Sequence, residues 1–114
     1  MPSIFKKKNS FEENPQKYIK EKFNFLIEEG YKYSYYTTNG NESFCFEKDN
    51  TVIDISKSFY PCEINIFIYK DSLCSRGKSI IEFFELDQNY IKSLSPIDSI
   101  DFLSKIIQEN LNKI

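Results

Sequence analysis

A chain of 114 residues, 40% hydrophobic and 28% charged, holds one core of ordinary size and is too apolar to be disordered. It contains no His and only three scattered glycines, so it lacks the commonest general base and any Gly-rich phosphate loop, and an enzyme is not expected. The formal charge of −2 leaves no footprint for a nucleic-acid backbone.

That charge is unevenly spread. Residues 1–27 carry six Lys against three acids, residues 28–80 six bases against eight acids, and residues 81–114 three against six. Sixteen Ile, fourteen Lys, eleven Phe, ten Asn and eight Tyr, with no Ala or Trp, are the composition of an AT-rich gene.

Residues 1–13 read as a flexible lead-in, with Lys6-Lys7-Lys8 a solvated run, and residues 14–114 as a single domain. No apolar segment follows those lysines and none approaches a membrane span, so neither a secretory signal nor a membrane partner is expected. Asn14-Pro15 supplies a helix cap and a first-turn proline. Ile19, Phe23, Leu26 and Ile27 follow at helical spacing, and Gly30 suits a left-handed end, which predicts a helix over 15–29.

Strands are predicted near 31–38, 42–48, 51–56 and 63–70. Asn39-Gly40 and Asp49-Asn50 sit between alternating runs as two-residue turns with positive φ. Counting outward from the first turn sets Tyr35 against Phe44, Tyr33 against Phe46, Ser34 against Cys45 and Lys32 against Glu47. Counting from the second sets Phe46 against Ile53 and Phe44 against Ile55. The two independent counts place the same residues on one face, and a one-residue slip would exchange the faces. Ile64, Ile66 and Ile68 complete that face, whose burial removes several hundred Å² of apolar surface at ~25 cal/mol per Å². The opposite face carries Lys32, Ser34, Tyr36, Cys45, Glu47, Val52, Asp54, Asn65, Phe67 and Tyr69.

Beyond the loop 70–78, residues 79–85 fit either a short helix or a strand, and 86–94 show no clear period. Ser95-Pro96 opens a last helix, with Asp98 as a capping-box acid and Ile97, Ile100, Leu103, Ile107, Leu111 and Ile114 at helical spacing. The expected fold is α+β in two layers: a four-stranded antiparallel meander with an N-terminal helix and one or two C-terminal helices on one face.

The chemistry is sparse. Cys45, Cys62 and Cys74 stand 17 and 12 residues apart without a Cys-x-x-Cys pair, which suits a reduced cytoplasm and offers no zinc spacing. Cys45 reads as a small hydrophobe. Glu47 and Asp54, flanked by Lys32, read as a surface ion pair rather than a catalytic carboxylate pair. Tyr36, Phe67 and Tyr69 could stack single-stranded bases, but the sheet segment has more acids than bases. No cofactor and no nucleic-acid partner are expected. The run Glu82-Phe83-Phe84-Glu85-Leu86-Asp87-Gln88-Asn89-Tyr90 interleaves acids with large apolar groups. Asp98, Asp101 and Glu109 could extend its acidic surface along the last helix. Aromatic anchors inside a charged rim favour protein partners, here basic ones.

The leading helix ending in Phe-Leu-Ile-Glu-Glu-Gly-Tyr-Lys-Tyr-Ser-Tyr-Tyr, the meander and the trailing amphipathic helix together span roughly 15–114. In layout and composition this resembles the small immunity proteins of bacterial polymorphic-toxin and contact-dependent growth inhibition systems. The resemblance implies a cytoplasmic, non-enzymatic inhibitor that binds and occludes one cognate toxin domain, often a nuclease with a basic cleft. On that reading the contact surface is Glu82, Glu85, Asp87, Tyr90, Asp98 and Asp101, with Tyr36, Asp54, Phe67 and Tyr69 as a second choice. The alternative is a small adaptor or ligand-binding module using the open sheet face.

Overall fold

The computed structural model describes residues 14–59, 62–70 and 77–114, and of Phe59 and Cys62 the backbone alone. The lead-in 1–13 and the spacing of Cys62 from Cys74 lie outside the described residues.

Helix α1 spans Pro15–Lys22, with Asn14 Oδ1 accepting from the Lys17 N–H at 3.1 Å and Pro15 in the first turn. The single helix expected over 15–29 is broken at Phe23, whose φ of −107° and ψ of 20° leave the helical region before α2, Asn24–Glu28. The break brings Phe25 against the core beside Phe23, ring centroids 5.9 Å apart, and turns Ile27 outward to 37% exposure. Ile27 is therefore not part of the buried stripe, which keeps Ile19, Phe23 and Leu26. Gly30 takes φ +98°, and Tyr31 N–H donates to the Leu26 carbonyl at 2.9 Å, closing the helix end. Lys48 Nζ donates to the Glu29 carbonyl at 2.7 Å, a cation where the helix dipole favours one.

Four long strands follow as a meander: β1 Lys32–Thr38, β2 Asn41–Lys48, β3 Thr51–Phe59 and β4 Cys62–Tyr69. Every cross-strand pair counted from the two turns is present, from Tyr35 opposite Phe44 to Phe46 opposite Ile53. Gly40 and Asp49 take the positive φ values, +77° and +55°. Among the described residues the expected four strands are five: β5, Lys78–Ser79, adds two residues to the outer edge of β4.

At the C-terminal side, α3 (Ile80–Phe83), α4 (Gln88–Lys92) and α5 (Pro96–Glu109) precede a 3₁₀ turn at Leu111–Lys113. Residues 79–85 thus end a strand and begin a helical turn, and both expected alternatives are partly realised. The aperiodic 86–94 contains α4, a single turn started by its Asp87 cap and anchored by buried Ile91. The α5 cap is as expected, with Ser95 Oγ accepting from the Asp98 N–H at 3.1 Å.

The described helices face one side of the sheet. The core joins Ile19, Phe23 and Leu26 to Phe44, Phe46, Ile53, Ile55, Ile66 and Ile68, and to Ile80, Ile100, Leu103 and Ile107. Tyr33 and Tyr35 close its edge against Phe46 and Phe44, at ring separations of 5.2 and 5.3 Å. One ion pair enters this face. Glu42 sits opposite Lys57 in register, and its carboxylate accepts from Lys57 Nζ at 3.3 Å and from the Tyr35 hydroxyl at 2.5 Å. No helix among the described residues is long and apolar enough to cross a membrane.

Candidate functional site

The helical layer carries an aromatic–acidic patch on its outer side. Asp87 caps α4, its Oδ1 accepting from the N–H groups of Asn89 (3.0 Å) and Tyr90 (3.3 Å). That cap sets the start of α4 and the direction of Tyr90, which is 50% exposed. The Tyr90 ring rests edge-on against Phe102 of α5, centroids 5.3 Å apart. Asp98 lies one turn before Phe102 on α5 and is exposed. Asp101 is tied to α1: its Oδ1 accepts from the Tyr18 hydroxyl at 2.7 Å and pairs with Lys22 Nζ at 3.1 Å. Burial, then the hydrogen bond and charge of Asp101, push the Tyr18 phenol up, so it stays a donor at any physiological pH.

The six residues expected at the contact surface thus differ in standing. Tyr90 and Asp98 are available, Asp87 is engaged as a cap, and Asp101 joins two helices. Glu82 and Glu85 are exposed on another element, α3 and the turn after it. Glu85 has φ +54° in the left-handed region, where glycine is usual. Its N–H donates to the Glu82 carbonyl at 3.4 Å, and the next N–H, of Leu86, donates to the Ile81 carbonyl at 2.8 Å. This is a Schellman end with glutamate in the glycine position. Phe83 and Phe84 meet edge-on at 4.9 Å, and both are partly buried against the core, so neither is the exposed anchor.

The open sheet face holds a second cluster. The Tyr36 hydroxyl (49% exposed) and the Cys45 thiol lie 3.4 Å apart, a hydrogen-bond contact that makes Cys45, at 6% exposure, more than a small hydrophobe. Asp54, directly opposite Cys45, is half-buried, and its Oδ1 is buried without a hydrogen-bond partner. Lys32 and Glu47, expected to share a surface ion pair with Asp54, face each other at the strand end, while Asp54 faces Cys45. Burial raises the Asp54 carboxyl above 3.8, opposed by hydrogen bonds from Cys45 and Ser43. Burial likewise pushes the Cys45 thiol up to about 11, which keeps it protonated near neutral pH. The hydrogen bond with Cys45, then burial, pushes the Tyr36 phenol up to about 12. Tyr69 and Phe67 flank the cluster half-buried. A Cβ on Gly77 would lie 2.4 Å from the Tyr69 ring, so glycine permits that approach.

Phe102 and Tyr18 behind the helical patch, and Ser43 on the open face, escape a reading of the sequence alone. Phe102 had a legible signal, four residues after Asp98 on a periodic helix. Tyr18 had none, since its partner is 83 residues away. No group of His, Cys, Asp and Glu suited to a metal occurs among the described residues. Comparison with protein-family models, curated proteins and solved structures finds no match to this chain.

Proposed function

We propose that this chain is a non-enzymatic, immunity-type protein that binds a cognate toxin domain in the cytoplasm and neutralises it by occlusion. The observation that carries the reading is Tyr90, a half-exposed aromatic whose ring rests on Phe102, with the cap Asp87 at the start of its own helix and exposed Asp98 one turn before Phe102. Supported aromatics inside a charged rim are the residues on which tight protein interfaces concentrate their energy. The acids supply long-range attraction for a basic partner, such as a nuclease cleft.

The charge reversal that tests this must avoid Asp87, because losing the cap would lower stability by about 1 kcal/mol and confuse the result. Tyr90→Ala is expected to weaken toxin binding by about 2 kcal/mol or more, roughly thirtyfold. Asp98→Lys is expected to slow association most at low salt. Unchanged affinity in both variants removes the helical patch as the contact surface.

The open sheet face supports a second reading, a small adaptor or ligand-binding module. What favours it is the unpartnered Asp54 Oδ1 beside Cys45 and Tyr36. Loss of partner binding on Asp54→Ala with Tyr36→Ala, with none on Tyr90→Ala, would move the contact to this face.

A further inference from the structure

We propose that β1 is the contact strand of a two-fold dimer of this chain, its outer edge pairing antiparallel with β1 of a second copy about Tyr35. β1 ends the strand order β1-β2-β3-β4-β5, and among the described residues no strand pairs with its outer side. All seven of its residues pair with β2 without a bulge. Lys32, Ser34, Tyr36, Thr37 and Thr38 are exposed. Such an edge presents a row of main-chain donors and acceptors, and proteins ordinarily blunt it with proline, a bulge, an inward charge or a covering element. The opposite end of the sheet is managed in that way: β5 is two residues long and runs directly into α3, which packs on β4. β1 has no proline and no bulge, and its one charge, Lys32, stands at its start.

The register selects a second copy as the occupant. Pairing about Tyr35 sets Ser34 against Tyr36 of the second copy, Tyr33 against Thr37, and Lys32 against Thr38. No charge meets its like, and aromatic residues meet aromatic, hydroxyl or β-branched ones, pairs that stabilise antiparallel ladders. Lys20 lies over the Tyr33 ring, 5.0 Å from its centroid. The two Tyr33 positions would stand four strand residues apart, ~13 Å, so the Lys20 charges are largely screened from each other in physiological salt. A seven-residue edge is a small interface, and the dimer is accordingly weak, with a Kd of roughly micromolar or above. None of the helical-patch residues takes part, so this inference is independent of the toxin reading.

The test is sedimentation velocity on the full chain from roughly 1 µM to 1 mM, the range of weak association. The wild type is expected to show a concentration-dependent dimer. Ser34→Lys with Tyr36→Lys opposes like charges twice across the dyad and should weaken the dimer at least tenfold. Ser34→Lys with Tyr36→Glu opposes unlike charges at the same two places and should restore it. Both variants lose the Tyr36–Cys45 contact equally, and circular dichroism checks that each is folded. A wild type that stays monomeric overturns the second copy as occupant and leaves the edge to a foreign strand. A double-Lys variant that dimerises like the wild type, or a Lys–Glu variant that fails to recover, overturns the pairing about Tyr35.

Discussion

Two residues sit where elementary chemistry would not put them. Glu85 occupies a left-handed position that costs a non-glycine residue about 1 kcal/mol. Glu85→Gly is therefore expected to raise Tm by roughly 4 °C in thermal unfolding, and an unchanged or lower Tm would show that the left-handed position is not strained. Strain kept at an exposed acid is a reason to ask what the side chain does. Asp54 is the other case. Its folded-state carboxyl is raised, so the folded protein holds a proton that the unfolded chain gives up, and stability falls as pH rises above about 3.8. Asp54→Asn is expected to raise Tm at pH 7, by about 1 kcal/mol of stability, with the gain fading as pH drops towards that value and absent below it. Equal gains at both pH values would assign the effect to packing instead of the charge.

At the scale of elements, the sheet was legible because two short turns of known residue type bracket alternating runs. Phe44 and Phe46 appear in both counts and must satisfy both. The break at Phe23 was not legible, since Phe23 and Phe25 compete for the same core and only packing decides between a straight helix and a bent one. α4 was hidden because one turn has no period, and its only sequence signal is the Asp87 cap. Glu42 was hidden as well, being a charge on the buried face that tertiary pairing rescues. Glu42→Ala leaves Lys57 without its carboxylate in a largely buried place, and is expected to cost about 3 kcal/mol in urea unfolding. Glu42→Gln, which keeps the Tyr35 hydrogen bond, should cost less. If the two cost the same, the ion pair is not what Glu42 contributes.

At the scale of the molecule, the acid-and-aromatic run over 82–90 folds into the helical layer, but its arrangement there was not legible. Sequence spacing counted six candidates alike. Folding assigns Asp87 to a cap and Asp101 to Tyr18 and Lys22, and it stands Tyr90 on Phe102. Contacts between residues so far apart in the chain follow from packing, which no local pattern encodes. Asp101→Asn is expected to lower stability by about 1 kcal/mol, through its links to α1, and to leave partner binding nearly unchanged. The central claim is that a single protein partner is captured through the Tyr90 patch. It is tested most directly by a pull-down of the tagged protein from lysate of its own organism, run beside Tyr90→Ala and read by mass spectrometry. The account predicts one stoichiometric partner with a basic toxin domain, recovered by the wild type and lost or much reduced with Tyr90→Ala. Recovery of no stoichiometric partner, or equal recovery by both baits, would contradict it.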